Sequence, residues 1–283
     1  MQKKDICQVK INKEKEYQCE EKISDTTMPS FFVSHGGPTL ISEKYEYISF
    51  LKKFRNSIPK PKAIIIFSAH WDSKIQMIGC PKQFETIYDF YGFPDEYYTV
   101  KYPAFSDPII AKQIYSLLAK EGIESKIDES RGLDHGAWTP LYLMFPKPDI
   151  PIISMSINSH SPLENLYTVG KALEPLKKEG ILILASGALL HNLQNIDFVA
   201  TKPTKVAKNF EEWTQKQVLS WNVSEISSYE KKAPNAREAV GYGQDHFVPL
   251  LYAMGTSDSN KKVSLVYQEY VYGAMSYSMY RFD

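Results

Sequence analysis

Four of the six histidines of this chain sit where apolar segments end, and the six are not scattered along it. His35 follows the run 29–34 and precedes two glycines, which let the backbone turn sharply. His70 follows 63–68, His191 follows 181–185 through a glycine-containing approach, and His160 follows 150–156. In open α/β sheets the ligand crevice lies beyond the carboxyl ends of the strands, so histidines delivered there can converge. Neutral imidazole ligates zinc, iron and copper, and a catalytic metal needs three protein ligands with positions left free. The pattern therefore points to a catalytic metal centre, with His35 and His70 as its first members. His246, near the start of an apolar helical pattern at Asp245, is either a ligand or a neighbour of a helix cap. His135 reads as a ligand, an acid/base group or a turn residue. Asp134 beside it either orients it or caps a turn. His160 lies in a polar segment and reads as an ordinary loop residue.

The elements that must position these residues alternate in type. Apolar runs without polar alternation mark buried strands at 29–34, 63–68, 150–156 and 181–185, with a late strand at 263–267 and a tyrosine-rich edge over 270–283. Helical spacing covers 43–56, 107–121, 164–179 and 210–220; Pro108 near the start of the second and Gly122 after its end are its stop signals. Such strands need helices on both faces. The expected fold is a single-domain α/β sandwich with a central mixed, partly parallel sheet and the metal site at the carboxyl edge of its strands. The stretch 80–106, aromatic and without period, reads as a long loop over a pocket.

Composition narrows the function classes. Lysine plus arginine equals aspartate plus glutamate at 33 each, which gives no electrostatic reason to expect nucleic acid or an anionic membrane. Three cysteines, Cys7, Cys19 and Cys80, with no CxxC pair, speak against a disulfide framework and against a thiolate zinc site. No apolar run spans a bilayer and the N-terminus lacks a signal-peptide core, so a cytoplasmic protein is expected. Residues 1–27 are charged and aperiodic and read as a poorly ordered extension; the folded domain is expected over 28–283.

Five ordered motifs carry a resemblance. HGGP at 35–38, SAHW at 68–71, GLDHGAW at 132–138, ASGALLHNL at 185–193 and DHFVPLLYAMG at 245–255 resemble those of the DODA-type extradiol ring-opening dioxygenases, within the class III extradiol superfamily. The resemblance covers the chain from Met28 onward. It implies an α/β sandwich, one Fe(II) or Zn(II) ion per chain, and opening of a catechol ring, of a DOPA-like substrate, by O2. It makes His35, His70 and His246 the ligands. His191 becomes a metal-adjacent acid/base within reach of the ion itself, and His135 a second proton donor on the oxygen side. It also places Tyr88, Phe90, Tyr91 and Phe93 in the substrate pocket, as ring-stacking walls. The family carries TIHDF after SAHW, whereas this chain has Tyr88 at the histidine's place; tyrosine donates a hydrogen bond but does not titrate near neutrality. A monomer or a homodimer fits the family. Two other classes share the scaffold: a zinc hydrolase that activates water, and a Memo-like metal-binding protein without activity. The presence of both His135 and His191 favours chemistry over binding alone.

Overall fold

A computed structural model of the chain describes residues 27–42 and 45–283. All of the expected extension but Thr27 lies outside the described residues. The strands are β1 (Ser30–Ser34), β2 (Ala63–Asp72), β3 (Gln76–Gly79), β4 (Ser125–Asp128), β5 (Ile152–Ile157), β6 (Ile181–Gly187), β7 (Val263–Val271) and β8 (Met275–Phe282). They form one sheet in the order β4-β3-β5-β2-β6-β1-β8-β7. Its centre, β5-β2-β6-β1, is parallel, and β8 joins β1 antiparallel. The expected mixed, partly parallel sheet is therefore present.

The unbroken apolar strands are buried on both faces. Ile65 and Phe67 of β2 pack into one core and Ile64 and Ile66 into the other; Ile181, Ile183 and Ala185 of β6 divide from Leu182 and Leu184 in the same way. Each such side chain removed from water is worth roughly 1.5–3 kcal/mol. One face is covered by α1 (Glu46–Phe54) and α3 (His135–Met144). The other carries α2 (Pro108–Lys120), α4 (Leu163–Leu173), α5 (Lys205–Leu219) and α9 (Pro249–Gly255), with the short helices α6 (Val223–Ser227), α7 (Tyr229–Lys232) and α8 (Ala236–Val240) packed beside them.

Several expected boundaries move for identifiable reasons. The helix expected over 107–121 starts at Pro108 because Asp107 caps it, accepting from the backbone N–H of Ile109 at 2.8 Å. The helix expected through 179 leaves α geometry after Leu173, where Pro175 supplies no N–H, and finishes as a 3-10 turn ending at Gly180. The helix expected from 210 begins at Lys205, under a Thr204 cap. The C-terminal strand is not an edge: β8 lies between β1 and β7, and β7 is the outer strand. Neither β3 nor β4 was expected; each has only four residues and no apolar run long enough to announce it. The loop 80–106 is irregular, as expected, apart from a 3-10 turn at Asp95–Tyr98.

Candidate metal centre

Three strand ends and one turn deliver the histidines to a single point. His35 is the residue after β1. His70 lies inside the last turn of β2, not beyond it, because that strand continues to Asp72 past a register shift after Phe67. His191 follows β6 at a distance of four residues. His246 is not helical: α9 starts at Pro249, and His246 sits in the turn before it. That turn is fixed to the end of β6 by the Ala188 N–H, which donates to the His246 carbonyl at 2.8 Å. His135 opens α3.

The Nε2 atoms of His70 and His35 are 3.1 Å apart, and those of His70 and His246 are 3.2 Å apart. The far nitrogen of each ring is already engaged. Ser186 gives its hydroxyl proton to the Gly136 carbonyl at 2.5 Å, so its oxygen can only accept from Nδ1 of His35, at 3.0 Å. Nδ1 of His246 donates to Asp245 at 2.5 Å. Nδ1 of His70 faces the Asp89 carboxylate at 3.2 Å. Ser186 and Asp245 accept from Nδ1 of His35 and His246, and the nearby Asp89 charge favours the proton on Nδ1 of His70, so three Nε2 lone pairs point at one another. Lone pairs at that spacing repel unless a cation lies between them. A tetrahedral ion with metal–nitrogen bonds of about 2.0–2.1 Å would set its ligands about 3.3 Å apart. The donor set therefore fits a divalent metal held by His35, His70 and His246. Partners of this kind fix tautomer and orientation in metal sites generally.

Burial keeps the rings neutral. Desolvation, then the neighbouring histidines, holds His35 and His246 well below the usual imidazole range. Burial likewise pushes His70 and His191 down to about 4, against partial opposition from nearby aspartates. Neutral imidazole is the form that ligates. Gly136 is required beneath His70, since a Cβ there would lie 2.6 Å from Ser68 Oγ and 2.7 Å from His70 Cδ2.

The other expected residues divide. His191 lies flat on His246, ring centroids 3.3 Å apart and 10° from parallel. His135 packs against His70 at 4.0 Å between centroids. Phe90 meets the His135 ring edge-on at 5.8 Å. Phe93 touches Phe90 and Tyr97, whereas Tyr88 packs on Phe90 and Tyr98 and donates its hydroxyl to the Val100 carbonyl at 2.7 Å. Tyr91 faces solvent, and His160 is exposed with Asp72 3.8 Å away. Asp134 is a cap and not an orienter: it accepts from the Ala137 N–H, the Ser68 hydroxyl and Arg131. Asp89 orients His135, accepting from its Nδ1 at 2.9 Å and its backbone N–H at 3.0 Å. Burial raises Asp89, but its hydrogen bonds and charge interaction with His135 prevail and hold it at about 2. Sequence reasoning missed Asp89, Ser186 and Asp245. The available signal for Asp89 was an acid flanked on both sides by aromatics, Tyr88 and Phe90.

The catalytic LigB subunit of aromatic ring-opening dioxygenase has a family model that matches residues 26–282. The chain belongs to this family. It is 39% identical over 262 residues to a 4,5-DOPA dioxygenase extradiol of Beta vulgaris, covering 91% of this chain and 97% of that protein. It is 35% identical to the protein of that name from Mirabilis jalapa (89% and 96% covered), and 32% identical to the one from Escherichia coli (90% and 94%). A crystal structure of an uncharacterized Escherichia coli protein superposes with a TM-score of 0.76 at 28% identity, covering 90% of this chain and all of that one. The protein is thus a metal-dependent extradiol ring-cleaving dioxygenase of the LigB family, acting on an aromatic substrate with O2.

Proposed function

We propose that this enzyme opens the ring of a DOPA-like catechol at a single ion held by His35, His70 and His246. The observation that carries the reading is the convergence of three Nε2 atoms on rings whose Nδ1 atoms each face a hydroxyl or a carboxylate. The names of the relatives, DOPA dioxygenases on either side of a plant–bacterium divide, support the substrate class. Zinc and iron both accept imidazole, but Zn(II) has no redox chemistry, so Fe(II) is the active ion and zinc an inert occupant of the same ligands. Fe(II), when bound, would supply the redox chemistry that joins a catechol to O2.

The chain's own residues do the rest. His191 is unprotonated at neutral pH and stands beside ligand His246, placed to take a phenolic proton as the catechol binds. His135, held through Nδ1 by Asp89, keeps its Nε2 lone pair for the opposite side of the site, where it takes the second phenolic proton and returns it when the ring opens. Phe90 walls the pocket against His135, with Phe93 and Tyr88 supporting it from behind. Tyr88 serves that wall with its hydroxyl committed to Val100, so it does not supply the polar contact of a pocket histidine. Residues 28–283 are the catalytic domain, and 1–27 an extension to it. We read the enzyme as cytoplasmic and as a monomer or homodimer; no helix of the described residues is long and apolar enough to cross a membrane.

The test is anaerobic loading with Fe(II) or Zn(II), then O2 uptake with DOPA and simpler catechols. Uptake with Fe(II) alone, fastest with DOPA and accompanied by a yellow ring-opened product, is expected. Equal turnover with Zn(II), or none with any catechol on the iron-loaded protein, overturns the reading.

A further inference from the structure

We propose that Asp89 is a positioning residue whose single carboxylate sets the tautomers of both a metal ligand and the acid/base histidine, a task no amide can perform. The inference rests on the metal-centre reading above. Oδ1 of Asp89 accepts from the His135 backbone N–H at 3.0 Å and from its Nδ1 at 2.9 Å. Oδ2 lies 3.2 Å from Nδ1 of His70. The two oxygens thus face two rings that pack against each other at 4.0 Å between centroids.

The proton positions follow from what each atom can do. A carboxylate carries lone pairs on both oxygens, so a lone pair on Nδ1 of His70 would face one of like sign. His70 therefore holds its proton on Nδ1 and offers Nε2 to the point shared with His35 and His246. His135 does the same, leaving its own Nε2 free. Asp89 in this way ties ligation and proton transfer to one group.

Asparagine at this position would break the arrangement in a specific direction. A backbone N–H is an obligate donor, so the amide oxygen must stay with His135. The amide N–H2 is then turned toward Nδ1 of His70. It either repels the Nδ1 proton or draws the lone pair there, which moves the proton to Nε2 and blocks the ligand position. Alanine imposes no such choice, because water can accept from Nδ1. The near-isosteric change is therefore the more damaging one. A packing role would give the reverse order.

The experiment is Zn(II) affinity by chelator competition on the full chain, for wild type, Asp89→Ala and Asp89→Asn, with ring 15N shifts of His70 in the metal-free wild type. Affinity is expected to fall about tenfold in Asp89→Ala and about a hundredfold in Asp89→Asn, the span seen when a partner behind a metal ligand is changed. The wild-type His70 should carry its proton on Nδ1. An Asp89→Asn that binds as tightly as Asp89→Ala overturns the inference and leaves the metal centre standing. So does a wild-type His70 protonated on Nε2, a readout independent of whether the variants fold. A wild type that takes up no Zn(II) overturns the metal-centre reading, and this inference with it.

Discussion

Nitrogen lone pairs 3.1 and 3.2 Å apart repel one another, and burial removes the water that would screen them. The protein holds this arrangement with three partners: a serine hydroxyl behind His35, and carboxylates behind His70 and His246. His191 differs from all three. Its ring stacks on His246, and among the described residues none gives its ring nitrogens a hydrogen bond. A ligand would need its tautomer fixed, whereas a proton carrier must gain and lose one. His191→Ala is therefore expected to keep the metal while turnover falls by about 10²–10⁴-fold, the usual worth of a general base. Metal content and single-turnover rate on the iron-loaded variant check it. Undiminished turnover with full metal would remove the role assigned to His191.

Between elements, position is transmitted by close backbone approach. Helices α4 and α9 meet where Gly170 faces the Tyr252 carbonyl and Gly255 faces the Tyr167 carbonyl; an added Cβ at either would come within 2.1 Å of the opposing oxygen. Glycines at this crossing let the two helix backbones approach closely. The turn bearing His246 precedes α9 directly, and the end of β6 grips it from the other side. Gly170→Ala should therefore destabilise the fold by about 1–3 kcal/mol, as overpacking of a tight core does. Urea denaturation reads this as a lower midpoint with an unchanged slope. An unchanged midpoint would mean that the crossing yields without cost.

At the scale of the whole molecule, the C-terminus is locked to the sheet by a buried cation. Lys177, 2% exposed, donates to Ser257 Oγ at 2.5 Å and to the Phe282 carbonyl at 3.2 Å. Burial pushes its ammonium down to about 8, against the helping charges of Glu174 and Asp283. The folded value lies below the unfolded one, near 10.4, so the unfolded chain binds more protons between the two. Stability from this group is fully present above about pH 10.4 and is lost as pH falls through 8. Relative to Lys177→Met, the wild type is expected to gain up to about 3 kcal/mol between pH 8 and 10.4. A difference independent of pH in that window would refute the buried-charge account.

Much of this protein is legible one residue at a time. The apolar runs of β1, β2, β5 and β6 announce a doubly covered sheet, because a strand buried on both faces has no polar alternation. Histidines directly after such runs announce its reactive edge, and five motifs in order announce the family. What required the tertiary structure was local in space but remote in sequence. β8 enters beside β1 over some 250 residues of chain, so its tyrosines looked like an edge until the pairing was seen. The sequence left His246 as either a cap neighbour or a ligand; the end of β6 holds its turn so that its Nε2 lies beside that of His70. Adjacency left Asp134 as either orienter or cap and gave Asp89 no role: the acid beside His135 caps a helix, and the acid 46 residues earlier holds the imidazole. Sequence records which groups are present and which segments are buried. A hydrogen bond depends on direction as well as composition, and only the folded backbone decides which acid faces which ring.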